Sequence, residues 1–70
     1  VNLDLDCRGL LCPLPVIKLA QALPTVAVGD TITILADDPA AATDIPAWCR
    51  MRAQELVSAL DHQYVVRRLT

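Results

Sequence analysis

Apolar and polar residues alternate over the first six positions, with Val1, Leu3 and Leu5 set against Asn2, Asp4 and Asp6. A period of two sends successive side chains to opposite faces, so Val1–Asp6 is predicted as a half-buried strand. Arg8-Gly9-Leu10-Leu11 follows as a short connection, in which Gly9 alone can take a positive φ without strain. From Pro15 the period changes. Val16, Leu19, Ala20 and Leu23 fall at i, i+3, i+4 and i+7, with Lys18 and Gln21 on the other side. This predicts an amphipathic helix of about two turns, ended by Pro24.

Gly29-Asp30 then turns the chain into a second predicted strand, Thr31–Ala36. Ile32, Ile34 and Ala36 share one of its faces, and Thr31 and Thr33 the other. Asp37-Asp38-Pro39 reads as a turn. Thr43 or Asp44 is the expected cap of a second helix, with Pro46 tolerated in its first turn. Ile45, Cys49, Ala53, Leu56 and Leu60 keep the helical period, which alone would carry this helix to Leu60. Tyr64–Leu69 closes the chain as a strand. Strand-helix-strand units imply parallel pairing with a right-handed crossover. The expectation is an α/β two-layer sandwich with its helices on one face, residues 1–70 forming one domain.

Composition narrows what such a domain can do. The chain of 70 residues is 54% apolar, yet it contains no Phe. A core of Val, Ile, Leu and Ala suits two thin layers. An enclosed small-molecule site, which needs roughly 300 Å³ or more of lined volume, is not expected. The net charge of −2 argues against a nucleic-acid binder, which shows a basic stripe. Arg50, Arg52, Arg67 and Arg68 read as solvated charges. No stretch approaches the roughly 20 apolar residues of a membrane span, and no charged-then-apolar signal pattern opens the sequence. The cysteines are three, Cys7, Cys12 and Cys49. An odd count without a signal pattern points to free thiols in a reducing, cytoplasmic compartment.

One segment carries chemistry: Cys12-Pro13-Leu14-Pro15, between the first strand and the first helix. Each proline biases the residue before it towards extended backbone, so Cys12 is held in a stiff segment just ahead of a helix. Helix amino ends present unpaired N–H groups and partial positive charge. A thiol placed there is expected to have its pKa lowered from about 8.5 into the range of roughly 3.5 to 7.5. The plainer alternative is a small apolar filler, since free cysteine is among the most buried residue types. Rigid display between two prolines favours the reactive reading.

The run Leu5-Asp6-Cys7-Arg8-Gly9-Leu10-Leu11-Cys12-Pro13-Leu14-Pro15-Val16 resembles the signature of the TusA/SirA-like sulfur-carrier family. Val28-Gly29-Asp30, Ala36-Asp37-Asp38-Pro39-Ala40 and Asp44-Ile45-Pro46-Ala47-Trp48-Cys49 resemble its later blocks in order and spacing. The resemblance implies a βαβαββ two-layer sandwich, with a mixed four-stranded sheet and two helices on one face. It ends the second helix near Leu56, makes Val57–Leu60 a strand, and puts Asp61-His62-Gln63 in a hairpin turn. That turn lacks the glycine often found there. The resemblance also implies a sulfurtransferase-type carrier without a cofactor, acting only with partner proteins. Cys12 would take up sulfur as a persulfide from a cysteine desulfurase or rhodanese-type donor. An acceptor protein would receive it for tRNA thiolation, molybdenum-cofactor synthesis or sulfur metabolism. Pro13, Pro15 and Gly9 would be the scaffold. Cys7 stands at a variable position and gains no role.

The remaining candidates are weaker. Cys7, Cys12, Cys49 and His62 lack the paired ligand spacing of a structural zinc site, so no metal is expected. Cys49 shares the apolar helix face and is expected to pack, with Trp48 beside it half-exposed. Asp44 reads as a helix cap rather than a catalytic acid, and His62 as a turn residue. A Cys7–Cys12 disulfide would require the two Cα atoms within about 7 Å. The second function class is a regulatory or interaction module of the same fold, in a redox or selenium pathway. Intact Cys-Pro-Leu-Pro favours the carrier, because a pure binding module has no need of the thiol.

Overall fold

The computed structural model describes residues 1–70. Its elements are β1 (Asn2–Asp6), α1 (Leu14–Ala22) followed by a 3₁₀ turn (Leu23–Thr25), β2 (Thr31–Leu35), α2 (Ala41–Arg52), β3 (Glu55–Leu60) and β4 (Gln63–Arg67). The strands form one mixed sheet in the order β1-β2-β4-β3. β1 and β2 pair in parallel, Leu3 beside Ile32 and Leu5 beside Ile34. β4 runs antiparallel to both β2 and β3. The second crossover therefore does not place β3 beside β2, because β4 takes that position. This is the α/β sandwich that the sequence pattern and the resemblance anticipate.

The alternation read from the sequence sets the core. Ile32 and Ile34 on β2 and Tyr64 and Val66 on β4 share the buried face, directly opposite one another in register. Leu19 and Ala22 of α1 and Ala41, Ile45, Trp48 and Cys49 of α2 join them in one cluster. The opposite face is polar. Asn2 accepts hydrogen bonds from Thr31 and Thr33 there, and Arg67 pairs with Glu55 at 2.7 Å.

Helix α2 ends earlier than either expectation. It stops at Arg52, and Ala53 turns left-handed with φ 57°, its N–H reaching the carbonyls of Arg50 and Cys49. Gln54 follows as a buried amide, accepting from the Leu69 N–H and donating to the Arg52 carbonyl. Ala53 is thus exposed at the helix terminus, and Leu60 lies 73% exposed on β3. Neither belongs to a helical core stripe. The hairpin turns on Asp61 and His62, both at positive φ (52° and 62°). Such a two-residue turn matches the twist of its strands, and Asp and His tolerate the left-handed region better than most residues.

Ala53 yields a test. A left-handed conformation costs an L-residue about 1–2 kcal/mol, while glycine's greater freedom in the unfolded chain offsets about 0.4–1 kcal/mol of any gain. Ala53→Gly is expected to stabilise the fold by about 0.5–1 kcal/mol, read as a higher urea midpoint at unchanged slope.

Candidate functional site

The loop between β1 and α1 is fixed before any of its side chains act. The Cys7 N–H donates to the Leu35 carbonyl at 2.7 Å, extending the β1–β2 ladder by one residue. Gly9, at φ 79°, turns the chain, and its N–H donates to Asp37 Oδ1 at 2.9 Å. The Cys12 N–H donates to Asp38 Oδ2 at 2.6 Å. The aspartates after β2 therefore clamp the loop at two points, which the sequence reading gave only as a turn. Asp38 also accepts from the Ala40 N–H at 3.1 Å at the start of α2. These charge-assisted bonds hold the Asp38 carboxyl below its ordinary pKa.

Pro13 occupies the cap position of α1, which begins at Leu14 with the buried Pro15 in its first turn. The missing proline N–H costs nothing there, because first-turn N–H groups have no partner within the helix. Cys12 thus stands just outside the helix, as expected, and is partly exposed. Cys7 and Cys49, also free thiols, are 0% and 2% exposed in the core.

The thiol's environment differs from the expectation. The Cys12 Sγ–H donates to Asp44 Oδ2, a partner 32 residues away on α2. Asp44 is not a cap, since α2 starts at Ala41. It lies in the first turn of α2, aimed at the thiol. That hydrogen bond is the largest cause of a Cys12 pKa pushed up to about 11, with desolvation and the charges of Asp44 and Asp38 acting in the same sense. The lowering predicted from the helix amino end is overturned. Ionising the thiol would place two anions in contact.

Cys12 and Asp44 open onto a shallow groove of about 240 Å³ between α1 and α2. Pro13, Val16, Trp48 and Met51 supply most of its apolar wall. Asp44, Ala47, Trp48 and Met51 are spaced i, i+3, i+4 and i+7, a second stripe on α2 beside the core stripe of Ile45 and Cys49. That spacing is the signal that could have found Asp44: one charge within an otherwise apolar helix face. Trp48 is only 7% exposed, so it belongs to the core while edging the groove. Met51, 78% exposed, carries the groove's apolar wall out to the surface. The cysteines and His62 do not converge, and no group of three or more metal-ligating side chains forms. No helix is long and apolar enough to cross a membrane.

Similarity to known proteins agrees with this geometry. The family model described as "Sulfurtransferase TusA" matches residues 3–68. The chain belongs to the TusA sulfurtransferase family. A protein of Archaeoglobus fulgidus named "Putative sulfur carrier protein" is 51% identical over 54 residues, covering 77% of this chain and 70% of the relative. Family and relative together support a sulfur-carrier role.

The clamp predicts a pH-dependent and mutable loop. Because folding lowers the Asp38 pKa, its contribution is complete above the ordinary value of about 4 and is lost as pH falls through the lower folded value. Asp38→Ala is expected to speed hydrogen exchange at the Cys12 amide by about tenfold or more, with the Ile32 and Val66 amides unaffected.

Proposed function

We propose that this chain, as a single domain over residues 1–70, carries sulfane sulfur as a persulfide on Cys12. One observation supports this reading above the rest: Cys12 alone of the three thiols reaches the surface, at an apolar groove, on a loop clamped at two points. A cysteine desulfurase or rhodanese-type protein donates the sulfur, and a second protein accepts it for tRNA thiolation, molybdenum-cofactor synthesis or sulfur metabolism. The working compartment is the cytoplasm, and no direct nucleic-acid contact is needed.

The chemistry suits the setting. Cys12 Sγ attacks the outer sulfur of the donor's persulfide, one S–S bond forms as another breaks, and the donor's cysteine leaves as thiolate. The exchange is redox-neutral. Delivery repeats it in the opposite sense, an acceptor nucleophile taking the outer sulfur from Cys12. The groove is smaller than the roughly 300 Å³ of typical small-molecule pockets. A protein surface that brings its own reactive cysteine is the better fit. Pro13, Pro15 and Gly9 shape the loop and touch no reacting atom.

Incubation with a cysteine desulfurase and free cysteine is expected to add the mass of one sulfur atom to the chain, mapping to the Cys12 peptide. Cys12→Ser abolishes the adduct. Cys49→Ala keeps it while lowering stability by about 1 kcal/mol through a small cavity. Undiminished labelling of Cys12→Ser would reject the assignment.

A further inference from the structure

A sulfur acceptor must present a thiolate, yet this thiol is surrounded by groups that oppose its ionisation. Asp44 from α2 accepts its proton-bearing bond, and Asp38 from the β2–α2 loop adds a second negative charge. No cation offsets them: on α1, the charge of Lys18 acts on Cys7 rather than Cys12. Asp44 also lacks an ion-pair partner. The chain's salt bridges join the amino terminus to Asp30, Arg8 to Asp6 and Arg67 to Glu55. Asp44 is the only charged residue lining the groove. A protein surface that covers this groove strips water from a lone carboxylate. Burying an unpaired charge is costly, so a stable complex must bring a counter-charge to it.

We propose that Asp44 is a positioning residue that locks Cys12 in its protonated form in the free protein, and that a Lys or Arg of the sulfur donor, entering the groove, pairs with Asp44 and releases the thiolate. The proposal rests on the reading of Cys12 as the sulfur acceptor. The step balances without a further reagent. As the cation neutralises Asp44, the Sγ proton passes to water. The sulfur lone pair forms a bond to the donor's outer sulfur, and the donor's S–S electron pair stays on its cysteine, which takes up a proton. The lock gives the free carrier protection, since oxidation and alkylation both proceed through thiolate. Reactivity then appears where a donor is docked.

The test titrates Cys12 in the intact chain from about pH 6 to about pH 12, by its ¹³Cβ shift and by iodoacetamide alkylation mapped to the Cys12 peptide. The wild-type midpoint is expected near 11. A midpoint at the ordinary value of about 8.5 overturns the lock without any variant. Asp44→Asn is expected to bring the midpoint down by about one unit, because desolvation and the Asp38 charge remain. At about pH 8 that raises the thiolate fraction about tenfold, while the lower basicity cuts nucleophilicity about threefold, leaving alkylation about threefold faster. An unchanged rate overturns the role of Asp44.

The release step is read in complex with a cysteine desulfurase whose persulfide-forming cysteine is replaced by Ala. The wild-type midpoint is expected to fall towards the ordinary thiol value, and that of Asp44→Asn to stay where it is. A wild-type midpoint that holds or rises in the complex overturns release by a cation. Sulfur loading from the active desulfurase is measured alongside. A chain that takes no sulfur overturns the acceptor reading, whereas a loaded chain with an ordinary free thiol overturns the lock alone.

Discussion

Two adjacent carboxylates at the end of β2 hold the loop on which the rest of the site depends. Asp37 and Asp38 accept the Gly9 and Cys12 N–H groups from a loop that has no strand partner of its own. They can do so because β1 and β2 run parallel and in register, Asp6 beside Leu35. The chain leaves both strands at the same edge of the sheet, so the loop after one meets the loop after the other. A slip of one residue would move the aspartates by about 3.3 Å and turn Ile32 and Ile34 away from the core. The packing that buries the isoleucines therefore also sets the position of the thiol.

The same arrangement settles a contest between two electrostatic effects at Cys12. The amino end of α1 offers roughly half an elementary charge, spread over the N–H groups of its first turn. Asp44 offers a full charge in hydrogen-bond contact, and Asp38 adds another nearby. Coulomb energy scales with charge and inversely with distance, so the nearer and larger charges prevail. The motif Cys-Pro-Leu-Pro fixes where the thiol stands. The acidity it shows there is set by residues from the other half of the chain.

That division explains what could be read from the sequence. Strands β1 and β2 were legible because Leu3, Leu5, Ile32 and Ile34 alternate without exception, and α1 because Val16, Leu19 and Leu23 keep one period between prolines. The end of α2 was not. Leu56 and Leu60 fit a helical stripe as well as they fit a strand, and the left-handed conformation of Ala53 leaves no mark in residue type. The position of Cys12 just ahead of α1 was legible from its neighbours in sequence. Asp44 was not legible, because Asp near a predicted helix start is usually a cap, and only the true start at Ala41 puts it within the first turn, bonded to the loop. The tandem aspartates look like turn formers in sequence, since their partners, Gly9 and Cys12, lie more than 25 residues away.

All three cysteines share one consequence of their placement. Burial pushes the Cys7 and Cys49 thiols up, and Asp44 does the same to Cys12. Unfolded, each would titrate at the ordinary value of about 8.5. The native state therefore retains protons that the unfolded chain gives up as alkalinity increases. This stabilisation is whole below the unfolded value and drains away as pH climbs through the folded ones. Part of the fold's alkaline response therefore rests on its sulfur atoms, one thiol at the surface and two in the core.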